Sequence, residues 1–203
     1  MSLFDHTRMK LILASSSPRR AEILRDAGIA FETCAAHINE TIFAGESAQA
    51  MVARLAEAKA RAAAAQFDND IRDCVVIGAD TTVELNREIF GKPRDAAHAR
   101  EMLVSLSGRT HHVLTGIFLL RLSDDAVRSA VESTSVTFTS LKAYEIDAYV
   151  ATCEPKDKAG GYAIQGLAAR YIPSIEGCYF NVVGLPLARL HGLLMELGWS
   201  DQE

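Results

Sequence analysis

Apolar and polar positions along this chain switch between strand and helix periods. KLILA at Lys10–Ala14 is a short apolar run bounded by serines, the pattern of a buried strand. Ala21, Leu24 and Ala27 then recur at helical spacing. Ser17 is placed to cap that helix, Pro18 fits its first position, and Gly28 ends it. Residues 31–36 predict a second strand, and Ser47 opens an Ala-rich helix to about Gln66. Residues 74–83 form an apolar strand interrupted by Gly78 and Asp80. LNRE at 85–88 predicts a turn, and Asp95 caps a helix to about Leu106. Residues 107–120 open a long strand whose partner is 133–139, with the polar SDDAVRS at 123–129 as the hairpin loop. A short helix follows at 144–152. KAGGYAIQGLAARYI at 158–172 mixes glycines with strand formers and predicts a loop, then a strand. Gly184-Leu-Pro186 introduces a last helix to about Leu197. No repeat or low-complexity linker interrupts this order. Alternating strands and helices with some antiparallel pairing predict an α/β domain with a mixed sheet.

The length of 203 residues suits one domain over 1–203, with a core of about 10–198. An apolar fraction of 49% is enough for a sizeable core. No apolar run approaches a membrane span, and MSLFDHTRMK lacks the apolar core of a secretory signal. Cys34, Cys74, Cys153 and Cys178 are scattered with no CxxC pair, which fits a reducing cytoplasm rather than a zinc site or disulfide framework. A formal net charge of -5 argues against wrapping nucleic acid. Basic residues matter here only where a few converge locally.

SSSPRR at 15–20 is one such place. A strand end followed by a helix N-terminus offers free N–H groups to an anion. Ser15 adds a hydroxyl, and Arg19 and Arg20 add guanidinium forks for phosphate. A plain helix cap with two solvated arginines fits the same letters. Asp80 is the second place, because an unpartnered carboxylate in an apolar strand is costly. It suits a divalent-metal ligand, a general base or both, or else a buried carboxylate satisfied by backbone or arginine. Lys59 lies on the Ala-rich helix, and Lys92 sits between Gly91 and Pro93 in GKPRD. Either can meet phosphate as a point charge or be an ordinary surface lysine. Glu40, just after a strand, is a possible second metal ligand or an exposed loop glutamate. EPKDKAGGYAIQG at 154–166 combines three glycines with Gln165, whose amide has the donors and acceptor needed to read a base edge. A glycine-rich connection is the simpler reading. His111 and His112 are adjacent, so in a strand they point to opposite faces and do not chelate together.

LASSSPRR, ADTTV with GKPRDAAHAREML, LSGRTHHVLTG, and EPKDKAGGYAIQG with IEGCYFNVVGLPL occur in that order. Together they resemble the Maf family of nucleotide pyrophosphatases, over about 11–194. The resemblance implies a twisted mixed sheet flanked by helices, with two lobes and a deep cleft, similar in outline to inosine triphosphate pyrophosphatases. It implies hydrolysis of a nucleoside triphosphate to the monophosphate and pyrophosphate, a divalent cation (Mg²⁺ or Mn²⁺), and a homodimer. By the same resemblance Asp80 is the proton acceptor for water. Arg19, Thr81 and Gln165 match positions tied to substrate choice, and that set resembles the group acting on dTTP and UTP. Ser15, Arg20, Glu40, Lys59, Lys92 and Asp157 match other polar cleft positions, with Glu40 and Asp80 as metal ligands. Pyrophosphatases for methylated GTP or deaminated purines, and a nucleotide-binding regulator of cell division, remain the competing expectations.

Overall fold

A computed structural model describes residues 9–35, 37–67 and 74–200. Residues 1–8 of the N-terminal stretch weighed above and residue 36 lie outside these residues. β1 (Lys10–Ala14), β2 (Glu32–Thr33), β3 (Cys74–Leu85), β4 (Glu88–Phe90), β5 (Thr110–Arg121), β6 (Val127–Thr137) and β7 (Ser174–Glu176) form one sheet. Its order is β2-β1-β3-β5-β6-β7, with β4 paired to β3 beyond the end of β1. β1 runs parallel to β2 and β3, and the remaining pairings are antiparallel. The helices are α1 (Pro18–Asp26), α2 (Ala48–Ala64), α3 (Ala96–Leu106), α4 (Ala143–Ala151), α5 (Tyr179–Val183) and α6 (Leu187–Glu196).

The strand period sorts β3 onto two faces. Val75, Ile77 and Ala79 pack with α1 and α6 around Leu24, Leu190 and Leu194. Further along the same face, Val83 and Leu85 pack with α3 and α4 around Leu103, Leu106 and Ile146. Thr81 lies between these two apolar cores, and the cleft opens there. The mixed, helix-flanked sheet is as the alternation predicts, and its cores divide into two lobes about that cleft.

The opposite face is covered by α2, and two glycines set how closely. A Cβ at Gly78 would stand 2.0 Å from the Ala56 carbonyl oxygen, and one at Gly116 would stand 2.3 Å from that of Val52. Gly78 and Gly116 therefore let the backbone of α2 lie directly on the sheet. The run of alanines in α2 serves the same contact, with Ala56, Ala60 and Ala63 fully buried. Ser47 caps this helix by accepting from Ala50 N–H, and Asp95 caps α3 by accepting from His98 N–H.

Three elements differ from the sequence reading. β2 spans two residues rather than 31–36. β6 begins at Val127 rather than 133, because Arg121 clamps Asp124 and the hairpin turns within a few residues. Residues 158–172 form no strand. Gly160 and Gly161, each at φ 69°, turn the chain into a 3₁₀ turn at Ala159–Gly161, and another follows at Leu167–Tyr171. Asn86 and Arg87 at positive φ make the tight β3–β4 hairpin that LNRE predicts.

Candidate active site

A cleft of about 720 Å³ collects the polar residues singled out by sequence. Ser15, Arg19, Arg20, Glu40, Lys59, Asp80, Thr81, Lys92, Asp157 and Gln165 all line it. They come from elements far apart in sequence. β1 ends at Ala14 and delivers 15–20, β3 supplies Asp80 and Thr81, and α2 supplies Lys59. The loop after β4 supplies Lys92, and the glycine-rich segment supplies Asp157 and Gln165.

Asp80 sits on the α2 face of β3 and is nearly buried, with 8% of its surface exposed. Lys59 Nζ donates to Asp80 Oδ1 at 2.6 Å and pairs with Glu40 Oε1 at 2.7 Å. One ammonium thus gathers two carboxylates. Partial burial favours the neutral form of Glu40. The hydrogen bond from Lys59 and the positive field of Lys59, Lys92 and Arg20 outweigh it and hold the carboxyl below its usual range. Two hard oxygens converging at an open cleft fit a Mg²⁺-type ion, which takes one or two carboxylates and completes its shell with water and substrate phosphate. Among the described residues no cluster of three or more His, Cys, Asp or Glu forms an all-protein metal cage.

Glu40 is carried by an ordered loop. Asn39 Oδ1 accepts from Thr41 N–H at 2.9 Å. Arg54 on α2 holds Glu46 by two bonds, of 2.6 and 2.7 Å, and donates to the Thr41 carbonyl at 3.1 Å. Phe43 stacks on that guanidinium at 4.1 Å.

Residues 15–20 divide their work differently from the sequence reading. Ser17 occupies the N-cap position of α1, yet its side chain makes no capping bond. The first-turn N–H groups and the dipole of α1 are therefore left without that side-chain partner beside the cleft. Arg20 lines the cleft and makes three hydrogen bonds to protein acceptors. It is buried, and its Nε donates to the Gly184 carbonyl at 2.8 Å. Its Nη1 donates to Ser15 Oγ at 3.1 Å and its Nη2 to Thr81 Oγ1 at 2.9 Å. Burial lowers its pKa, against the opposing pull of Asp80. It bolts the end of β1 to β3 and to the residue after α5. Arg19, half-exposed, also lines the cleft. The Thr81 hydroxyl is held in the same network, 2.9 Å from Thr115 Oγ1 and 3.3 Å from the Gly184 carbonyl.

Lys158 and Tyr162 also line the cleft and were not singled out by sequence. Lys158 Nζ donates to the Glu154 carbonyl at 2.7 Å. Burial lowers its pKa, and Arg19 nearby adds to that. Its place just before Gly160-Gly161 was the available signal. Tyr162 Oη is 2.7 Å from Nε2 of His111, the fully buried member of the His111–His112 pair.

An α/β sheet and a cleft between two lobes, lined by a helix N-terminus and by a lysine-bridged carboxylate pair, suit a protein that handles phosphate. The chain belongs to the family described as Maf-like protein, whose model matches residues 10–197. A dTTP/UTP pyrophosphatase from Pelotomaculum thermopropionicum is 46% identical over 191 residues, covering 94% of this chain and 98% of that protein. One from Bacillus cytotoxicus is 49% identical over 181 residues, covering 89% and 92%. The solved structure of the Staphylococcus aureus Ham1 protein aligns over 93% of this chain and 99% of that one. Its TM-score is 0.49 and its identity 14%.

Proposed function

We propose that this protein hydrolyses dTTP and UTP to the monophosphate and pyrophosphate. The observation that carries the reading is Asp80, a nearly buried carboxylate held by Lys59 at the wall of a cleft that a helix N-terminus also lines. Full-length similarity to dTTP/UTP pyrophosphatases supports the substrate class.

The triphosphate enters with its phosphates toward Ser15, the first-turn N–H groups of α1, Arg19, Lys59 and Lys92. Asp80 takes a proton from water, and the water oxygen bonds to the α-phosphorus. The bond from that phosphorus to the bridging oxygen breaks, and pyrophosphate leaves with the electron pair. Lys59 and Lys92 offset its charge, and positioning with electrostatics lowers most of the barrier. Glu40 and Asp80 would hold a divalent cation, Mg²⁺ or Mn²⁺, which supplies charge neutralisation on phosphate oxygens. Arg20 keeps Ser15 and Thr81 in place at the cleft wall.

Cytoplasmic location and a homodimer complete the proposal. No helix among the described residues is long and apolar enough to cross a membrane. Exposed Tyr179 and Phe180 beside a hollow lined by Ala27, Ile29 and Leu187 support a second copy docking there, which light scattering tests.

The decisive assay is pyrophosphate release from a triphosphate panel, with Mg²⁺, Mn²⁺ or chelator, for wild type and Asp80→Asn. Metal-dependent release from dTTP and UTP, lost in the variant, is the expected result. Fast release from methylated GTP or a deaminated purine instead would overturn the substrate class. Release from no triphosphate would leave a binding protein and favour the regulator.

A further inference from the structure

We infer that Glu154 and Tyr149 are positioning residues that select a pyrimidine over a purine by fixing the turn that presents Gln165. The inference rests on the nucleotide reading above and assigns its base selectivity to residues outside the catalytic centre.

Gln165 is an exposed side chain on the cleft wall, so its own contacts do not fix it. Its backbone is fixed instead. Gly166 N–H bonds to the Ala163 carbonyl at 3.2 Å, which makes 163–166 a turn with Gln165 at its third position. Both ends of that turn are tied to one pair of side chains near the end of α4. Tyr149 Oη accepts from Ala163 N–H at 3.2 Å. The same hydroxyl donates to Glu154 Oε1 at 2.8 Å. Glu154 Oε2 accepts from Leu167 N–H at 3.0 Å. Gln165 therefore lies midway between two anchored N–H groups. Close packing adds a third restraint, because a Cβ at Gly166 would stand 2.3 Å from Glu154 Oε1. Tyr149 itself is buried, with 1% of its surface exposed, and packs edge-on against Tyr171.

Fixing this turn matters for base choice. The amide of Gln165 can donate to a carbonyl and accept from an adjacent ring N–H at once. Uracil and thymine offer that pair at O4 and N3–H, and guanine offers the same pair at O6 and N1–H. Hydrogen bonding alone does not separate them. They differ in the distance from that edge to the sugar, so discrimination requires the amide to stand at a fixed depth in the cleft. A loosened turn can retreat and admit the larger base. A rigid turn also lowers the ordering cost of binding the smaller one.

The test compares kcat/KM for UTP and GTP in wild type, Tyr149→Phe, Glu154→Gln and Glu154→Ala, with inhibition by inorganic pyrophosphate as the probe of the phosphate end. Tyr149→Phe and Glu154→Ala are expected to lower the UTP-to-GTP ratio about tenfold, mostly through KM for UTP. Pyrophosphate inhibition should stay within about twofold of wild type. Glu154→Gln, which keeps an acceptor oxygen, should fall between. An unchanged ratio overturns the inference, and so does a ratio that falls only together with loss of pyrophosphate binding, the mark of a general folding defect. Failure of the wild type to cleave UTP sinks the pyrophosphatase reading itself. Wild-type cleavage with unaltered choice in the variants sinks only the role of Glu154 and Tyr149.

Discussion

Gly78→Ala is a single methyl group that should damage both fold and activity. The added Cβ would lie 2.0 Å from the Ala56 carbonyl oxygen and 2.9 Å from both the Ala60 nitrogen and its Cβ. Two of these three atoms are helix backbone, so no flexible side chain can swing aside. Ordinary contact at 3.4 Å requires β3 and α2 to separate by about 1.4 Å. Overpacking of this kind costs about 3 kcal/mol. For a chain of this size that lowers the melting temperature by about 6–12 °C. The shift also falls between Lys59 on α2 and Asp80 two residues along β3, now joined at 2.6 Å. Misplacement on the ångström scale can cost about 10²-fold in rate. Thermal unfolding and pyrophosphate release check the two effects separately. Gly192→Ala is the control, since a Cβ there meets nothing within 4 Å and the residue is helical. It should stabilise by about 0.5–1 kcal/mol through helix propensity. A Gly78→Ala protein that melts with the wild type and turns over at its rate would refute the claim that α2 rests on the sheet through this glycine.

Asp80→Asn should keep the fold, because the amide oxygen still accepts from Lys59, yet lose turnover by several orders of magnitude; circular dichroism and the release assay check both. Arg20→Lys should destabilise the protein by about 2 kcal/mol or more, because an ammonium cannot serve Gly184, Ser15 and Thr81 with the fixed fork geometry. Urea unfolding measures this, and wild-type stability would contradict the bolt assigned to Arg20. Burial, with a smaller push from His112, lowers the His111 pKa from 6.5 to about 4. Between those values the unfolded chain binds a proton that the folded chain refuses, so stability is complete above pH 6.5 and falls toward pH 4. The loss at pH 5 is about 2 kcal/mol, and His111→Gln should flatten that part of the urea-derived stability curve.

Much of the site was legible in the sequence because its chemistry is carried by residues whose placement is costly without a reason. A carboxylate inside VVIGADTTV points to a cleft, and a serine-proline-arginine run at a strand-to-helix junction fits either an anion site or a plain helix cap. Element boundaries followed local rules where caps and turns were strong, as at Ser47, Asp95 and Asn86-Arg87. They failed at 158–172, where two glycines at positive φ outweighed the strand formers around them.

What the sequence determined by itself was the alternation of elements, the strand and helix faces and the set of polar residues with chemistry to perform. What only the tertiary structure decided was which of those residues meet. Arg19 and Arg20 are adjacent letters of one type, yet Arg19 is half-exposed at the cleft while Arg20 is buried in its wall as a bolt. Glu40, Lys59 and Asp80 come from three separate elements and meet within 2.7 Å. Helical and strand periodicity are local properties, readable over a few residues. Partnership between side chains depends on how closely two elements approach, and here Gly78 and Gly116 set that distance against the backbone of α2.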